Sequence, residues 1–235
     1  MSIAFSSLIE IEVSKCSLLE TLVLSREVEF SELRFLTIQS VPALISFSSS
    51  EAKKIDGGNP SFRVSLFNEK VSLPKLETLI ISDIVGSMTT WNQEVITNSF
   101  CKLRSEICNC EKLVTIFPAS IVRNLHDLMT LTVRNCNSLE GIFELQEAND
   151  KITSTGKRIQ LKTLILFQLP KLKQIWNNPY LQGTFNFKNL EQVYVEDCPM
   201  LSYVFPSSMA NDLRQVKELI TIQNCPTTDT LEQKD

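Results

Sequence analysis

Apolar and polar positions along this chain follow one recurring phrase. An apolar residue, two variable positions, a second apolar residue, one variable position and a third apolar residue come first. Two more variable positions then lead to Cys or an aliphatic, and a Leu usually follows three residues later. The phrase reads Leu8, Ile11, Val13, Cys16, Leu19, then Leu33, Leu36, Ile38, Val41, Leu44, then Leu76, Leu79, Ile81, Ile84. It returns in degenerate form at Leu103, Ile107, Cys110, Leu113, and fully at Leu128, Leu131, Val133, Cys136, Leu139. Leu161, Leu164, Leu166, Leu169, Leu172 form the sixth copy, and Leu190, Val193, Val195, Cys198, Leu201 the seventh. Val216, Leu219, Ile222, Cys225 form the last.

Alternation such as Leu131-x-Val133 is the two-residue period of a strand with one face buried. Each strand is short, so the chain must turn, travel back and begin the next strand one layer on. A single copy cannot bury its own apolar row, so neighbours stack into a common core. Eight strands about 4.8 Å apart make an arc about 35–40 Å long. The strand positions between and after the buried pair point outward. One outward column reads Glu12, Thr37, Ile80, Glu106, Thr132, Ile165, Tyr194, Thr221. The other reads Ser14, Gln39, Ser82, Cys108, Arg134, Phe167, Glu196, Gln223. Two copies break the spacing: Ser105 falls where the fourth should have Leu, and Ile220 is extra in the eighth. A bulge or slipped strand is expected at each.

The connections are of two kinds. IFPASIVRNLHDL (116–128) and VFPSSMANDLRQV (204–216) place a short apolar-periodic run after Phe-Pro and predict one or two helical turns. SVPAL (40–44) and FQLPKL (167–172) carry Pro just after the turn and predict irregular loops, since Pro removes a backbone donor. Polar inserts, one near 48–62 with Gly-Gly and Asn-Pro and one at 144–158, predict exposed loops. The organisation expected is one repeat domain over 1–225 and a polar C-terminal tail at 226–235.

The phrase resembles the leucine-rich repeat, L-x-x-L-x-L-x-x-N/C-x-L, in its Cys-containing form. That resemblance implies an α/β solenoid: a curved arc with short parallel strands on the concave face and irregular loops and short helices on the convex face. It also implies that the turn residues Cys16, Cys110, Cys136, Cys198 and Cys225 point inward and hydrogen-bond the backbone where the strand turns. The pairing of Cys-type strands with FPASIVRNL and FPSSMANDL, alternating with LPKLKQIW-like layers, is similar to a narrower group. It resembles the C-terminal repeats of plant intracellular immune receptors, the coiled-coil, nucleotide-binding, leucine-rich-repeat (CC-NB-LRR) disease resistance proteins. The likeness runs from about Leu8 to Cys225. It implies a protein-recognition module that senses pathogen effectors or guarded host proteins in the cytoplasm and contributes to autoinhibition against the NB-ARC domain. The alternative is the substrate-recognition array of an F-box ubiquitin-ligase adaptor, or a stand-alone scaffold.

Composition narrows the field. The chain has 235 residues, 43% hydrophobic and 21% charged, with only 6 Gly and 9 Pro. That is the balance of a globular chain rather than a linker. A net charge of −4 gives no electrostatic footprint for nucleic acid. No apolar run approaches a membrane span. Seven Cys, an odd number without framework spacing, fit reduced thiols. No Gly-x4-Gly-Lys-Ser/Thr loop is present, so ADP or ATP would be held only by an NB-ARC domain outside this sequence, and no cofactor is expected here. The missing loop and the start inside a repeat without a polar cap lead us to expect a fragment of a longer receptor.

Candidate chemistry is sparse. Cys108-x-Cys110 lacks the second ligand pair of a closed zinc site, and no metal is expected. His126, the single histidine, falls on a connection away from Cys108, and Asp83, Glu196 and Asp197 are ordinary polar strand-end residues. No catalytic residue is assigned, and the chain is read as a non-enzyme. The outward columns hold the better candidates. Ile165, Phe167 and Tyr194 are apolar or aromatic in adjacent layers, flanked by Arg134 and Glu196. Apolar area rimmed by polar groups, rich in aromatics and Arg, is the composition of a protein contact surface.

Overall fold

The computed structural model describes residues 2–25, 27–49, 65–68, 71–85, 89–91, 103–122, 125, 128–144, 159–177, 189–205 and 219–226. Eight five-residue strands form one parallel sheet: Glu10–Ser14, Phe35–Gln39, Thr78–Ser82, Arg104–Cys108, Thr130–Arg134, Thr163–Phe167, Gln192–Glu196 and Leu219–Gln223. Their order in space is their order in the chain, as a leucine-rich-repeat solenoid requires. We number these rungs one to eight.

Every rung faces the next without offset. Leu36, Leu79, Ser105, Leu131, Leu164, Val193 and Ile220 fall in one inward column, and Ile38, Ile81, Ile107, Val133, Leu166, Val195 and Ile222 in the other. From the second rung to the seventh the inward residues are at most 3% exposed. Burying one such Leu, Ile or Val contributes about 1.5–3 kcal/mol, and stacking multiplies it along the array.

The bulges expected in rungs four and eight are absent. Ser105 pairs squarely with Leu79 and Leu131, and Ile220 sits opposite Val193 in the inward column, though 40% exposed. The reason lies at the far end of each strand. The residue after each strand, Lys15, Ser40, Asp83, Asn109, Asn135, Gln168, Asp197 or Asn224, has φ between 51° and 56°. In rungs one to seven its N–H donates to the last strand carbonyl of the following rung, as from Asn109 to Arg134 at 3.0 Å and from Asn135 to Phe167 at 3.0 Å. Register is therefore set where the strand ends, and the irregular spacing in rung four falls ahead of Arg104.

A reverse turn follows. The Leu N–H three residues after the turn residue donates back to that residue's carbonyl, as from Leu139 to Cys136 at 3.2 Å and Leu172 to Leu169 at 3.1 Å. Pro42 and Pro170 occupy the second position of such turns, where proline is preferred and no donor is needed. The Pro-containing layers consequently do not return as irregular loops. Each goes on to a short strand, Ser46–Ser49 and Gln174–Trp176 respectively.

Those strands belong to further parallel sheets that line the opposite side of the core. Ser65–Phe67, Thr89–Trp91, Thr115–Phe117, Gly141–Phe143 and Gln174–Trp176 form one, and Thr21–Leu24 pairs with Ser46–Ser49. Ser2–Phe5, Glu27–Phe30 and Val71–Ser72 close a third, smaller sheet. Rings stack through this side: Phe67 on Trp91 at 4.4 Å, Phe117 on Phe143 at 5.4 Å, and Phe143 on Trp176 at 5.0 Å between centroids. One helical turn, Ala119–Val122, follows Pro118 as the Phe-Pro phrase predicts. Residues 206–216 of the second such phrase lie outside the described residues, as do most of both polar inserts and residues 227–235 of the tail. Ser48, expected in the first insert, instead lies in the Ser46–Ser49 strand, buried, with its Oγ donating to the Ser25 carbonyl at 3.0 Å.

Candidate functional site

The outer face of the eight-stranded sheet carries the candidate site. Its two outward columns are those read from the sequence: Glu12, Thr37, Ile80, Glu106, Thr132, Ile165, Tyr194 and Thr221 stand in mutual register. The same pairings align Ser14, Gln39, Ser82, Cys108, Arg134, Phe167, Glu196 and Gln223. Ile165 lies directly beside Tyr194, and Phe167 lies between Arg134 and Glu196. Ile165, Phe167, Tyr194 and Glu196 are half-buried, and Arg134 is exposed. Thr132, next to Ile165, is buried although it points outward. The five residues thus form one continuous area across rungs five to seven.

Within it the Tyr194 hydroxyl donates to a Glu196 carboxylate oxygen. That hydrogen bond to the neutral phenol, then desolvation and the Glu196 charge, raise the Tyr194 pKa, while Arg134 opposes the shift. The phenol is therefore protonated at neutral pH and holds the carboxylate at the edge of the patch.

Cys108 borders the area in rung four. Its Sγ donates to Glu106 Oε1 at 3.6 Å. Burial first, then the Glu106 charge and hydrogen bond, push the thiol up to about 12. Nucleophilic cysteines have lowered values and electropositive surroundings, so Cys108 lacks the activation that thiol chemistry needs. His126 and Cys101 lie outside the described residues. Among the described residues no group of three His, Cys, Asp or Glu side chains is placed to hold a metal ion. No helix there is long and apolar enough to cross a membrane.

The turn cysteines act on the backbone. The thiols of Cys16, Cys110, Cys136, Cys198 and Cys225 donate to the carbonyls of Ser14, Cys108, Arg134, Glu196 and Gln223, at 3.2–3.5 Å. Cys110, Cys136 and Cys198 are buried, Cys225 is half-buried, and Cys16 in the first rung is exposed. Burial pushes the Cys198 thiol up to about 12, and the hydrogen bond to Cys136, followed by burial, raises Cys110. These are packing thiols that satisfy a strand-end carbonyl.

One row escaped the reading from sequence. The left-handed residues beside these cysteines form a side-chain ladder along the edge of the outer face. Asn109 Nδ2 donates to Asp83 Oδ1 at 2.9 Å, Asn135 Nδ2 to Asn109 Oδ1 at 3.0 Å, and Asn224 Nδ2 to Asp197 Oδ1 at 2.9 Å. Asn and Asp are the non-glycine residues that best tolerate this conformation. The signal was present as Asn or Asp immediately before the turn residue at 83, 109, 135, 197 and 224.

Comparison with known proteins agrees with this architecture. The leucine-rich repeats of RPS2-like plant disease resistance proteins match residues 66–226. Putative disease resistance protein At4g19050 of Arabidopsis thaliana is 32% identical over 74 residues. That segment covers 32% of this chain and 6% of the relative's length, so the chain matches a small part of that protein. No solved structure matches. By the span of the repeat match, register and turn chemistry alike, the chain belongs to the leucine-rich-repeat family of RPS2-like plant disease resistance proteins.

Proposed function

We propose that this chain is a protein-recognition module in plant disease resistance. The outer sheet face would bind a pathogen effector or a guarded host protein, and would help hold an NB-ARC domain inactive until then. The module works in the cytoplasm, needs no cofactor and carries out no catalysis. The observation that supports this reading is the continuous patch of Ile165, Phe167 and Tyr194 between Arg134 and Glu196. It stands on side chains that point away from the core and remain half-buried or exposed on the outer face. The rigid sheet beneath also lowers the ordering cost of binding, since the backbone of the face is fixed in advance.

The test is made in plants carrying the gene with both Phe167→Ala and Tyr194→Ala, with protein accumulation followed by immunoblot. A recognition surface gives loss of the pathogen-triggered response at unchanged protein level. An autoinhibitory surface gives a response without pathogen. An unaltered response in both conditions sinks the assignment.

A further inference from the structure

Arg134 is the unusual member of the patch. Arg34, Lys75, Lys162 and Lys173 each meet a carboxylate one layer away, on Glu77, Glu32, Glu191 and Glu140. Arg134 has no such partner among the described residues, as is also true of Lys15, Arg104, Lys112 and Lys171, but it is the one of these that pairs directly with Phe167. The acids near it are engaged elsewhere. Glu106 accepts from Cys108, and Glu196 accepts from Tyr194 and stands two rungs away, about 10 Å at the spacing of paired strands. Phe167 lies directly beside Arg134, and Ile165 and Tyr194 continue the apolar area from there.

We infer that the patch takes a protein segment carrying an Asp or Glu side chain one or two positions from an aromatic or branched apolar one. The carboxylate would occupy the open guanidinium fork of Arg134, and the apolar group would lie over Phe167, Ile165 and Tyr194. This rests on the reading of the face as a recognition surface and adds the chemistry of what it recognises.

A guanidinium matches a carboxylate with two parallel hydrogen bonds. In an extended segment, side chains two positions apart share a face and stand about 6.6–6.8 Å apart, a separation that the long Arg134 side chain can bridge from its place one rung from Phe167. A phosphate fits less well. Phosphopeptide sites use clusters of basic side chains, and no second Lys or Arg occupies either outward column in rungs four to eight. Glu106 and Glu196 would repel the extra charge.

The experiment selects random peptides displayed on phage against the full chain, then measures the enriched peptides as synthetic probes. Peptides with Asp or Glu beside Phe, Leu, Ile or Trp are expected. Their affinity should fall about tenfold or more on Arg134→Glu, the scale of one charge-assisted hydrogen bond. Arg134→Gln should cost less, and reselection on the Arg134→Glu chain should replace the acid with Lys or Arg. Unchanged circular dichroism and melting of the variants separate these losses from misfolding. Peptides that depend on Phe167 but carry no acid and ignore Arg134→Glu overturn the inference alone. A phosphoserine peptide that binds more than tenfold tighter than its Asp version overturns it in favour of phosphate. Peptides indifferent to Phe167→Ala, or no enriched peptide, overturn the underlying recognition reading as well.

Discussion

The eight-stranded sheet and the five-stranded sheet across the core are built from the same turns of chain, yet they use sequence in opposite ways. In the long sheet every second residue is buried, and the alternate positions are released from packing. In the short sheet, Thr89–Trp91 and Thr115–Phe117 are buried at all three positions, and Gly141–Phe143 and Gln174–Trp176 at two. The long sheet divides its residues between core and surface, and the short sheet gives nearly all of its residues to the core. The lesson is that exposed side chains on the first can change freely because its inward columns and the aromatic rings of the second together hold successive layers.

The largest expected effect tests that division directly. Trp176 stacks on Phe143 and donates its Nε1 hydrogen to the Val204 carbonyl at 2.8 Å. Trp176→Ala should lower the free energy of unfolding by about 3–5 kcal/mol, whereas Phe167→Ala on the outer face should cost about 1 kcal/mol or less. Urea midpoints that fall equally for both would break the comparison. The edge between the sheets comes next. Asn109 both donates to Asp83 and accepts from Asn135, at a φ of 54°. Asn109→Ala should cost about 1–2 kcal/mol by thermal melting, and Asn109→Gly should recover the backbone share while still lacking the ladder. The smallest effect has the opposite sign. Ser105 fills an inward Leu position with a buried hydroxyl that has no hydrogen-bond partner among the described residues. Ser105→Ala should raise stability by about 1 kcal/mol by removing the stranded polar group, and a loss of stability would show that the hydroxyl is satisfied in solution.

The long sheet was legible because alternation is a strong local signal. All sixteen outward positions, from Glu12 and Ser14 to Thr221 and Gln223, pair as the apolar phrase implies. The short sheet was hidden, because three-residue strands such as Thr115–Phe117, buried throughout, have no period to detect. Rungs four and eight were misread because spacing was counted from the leading Leu, while the fold anchors each strand at its trailing turn. Of the candidate site, the positions of Arg134, Ile165, Phe167, Tyr194 and Glu196 could be read. The Tyr194 to Glu196 hydrogen bond could not, since only side-chain geometry decides it.

Anchoring at the trailing turn has a consequence for how such a surface diversifies. The chain between one turn and the next strand can gain or lose residues without shifting any side chain on the outer face. Repeat starts here lie 25 to 43 residues apart, yet the lattice of outward positions keeps one pitch. Insertions and deletions are thus absorbed as loops, which tolerate them at little cost. Point substitutions at outward sites alter the face one cell at a time. Changes in connection length and substitutions on the outer face are thus structurally uncoupled, and either can be made without displacing the other.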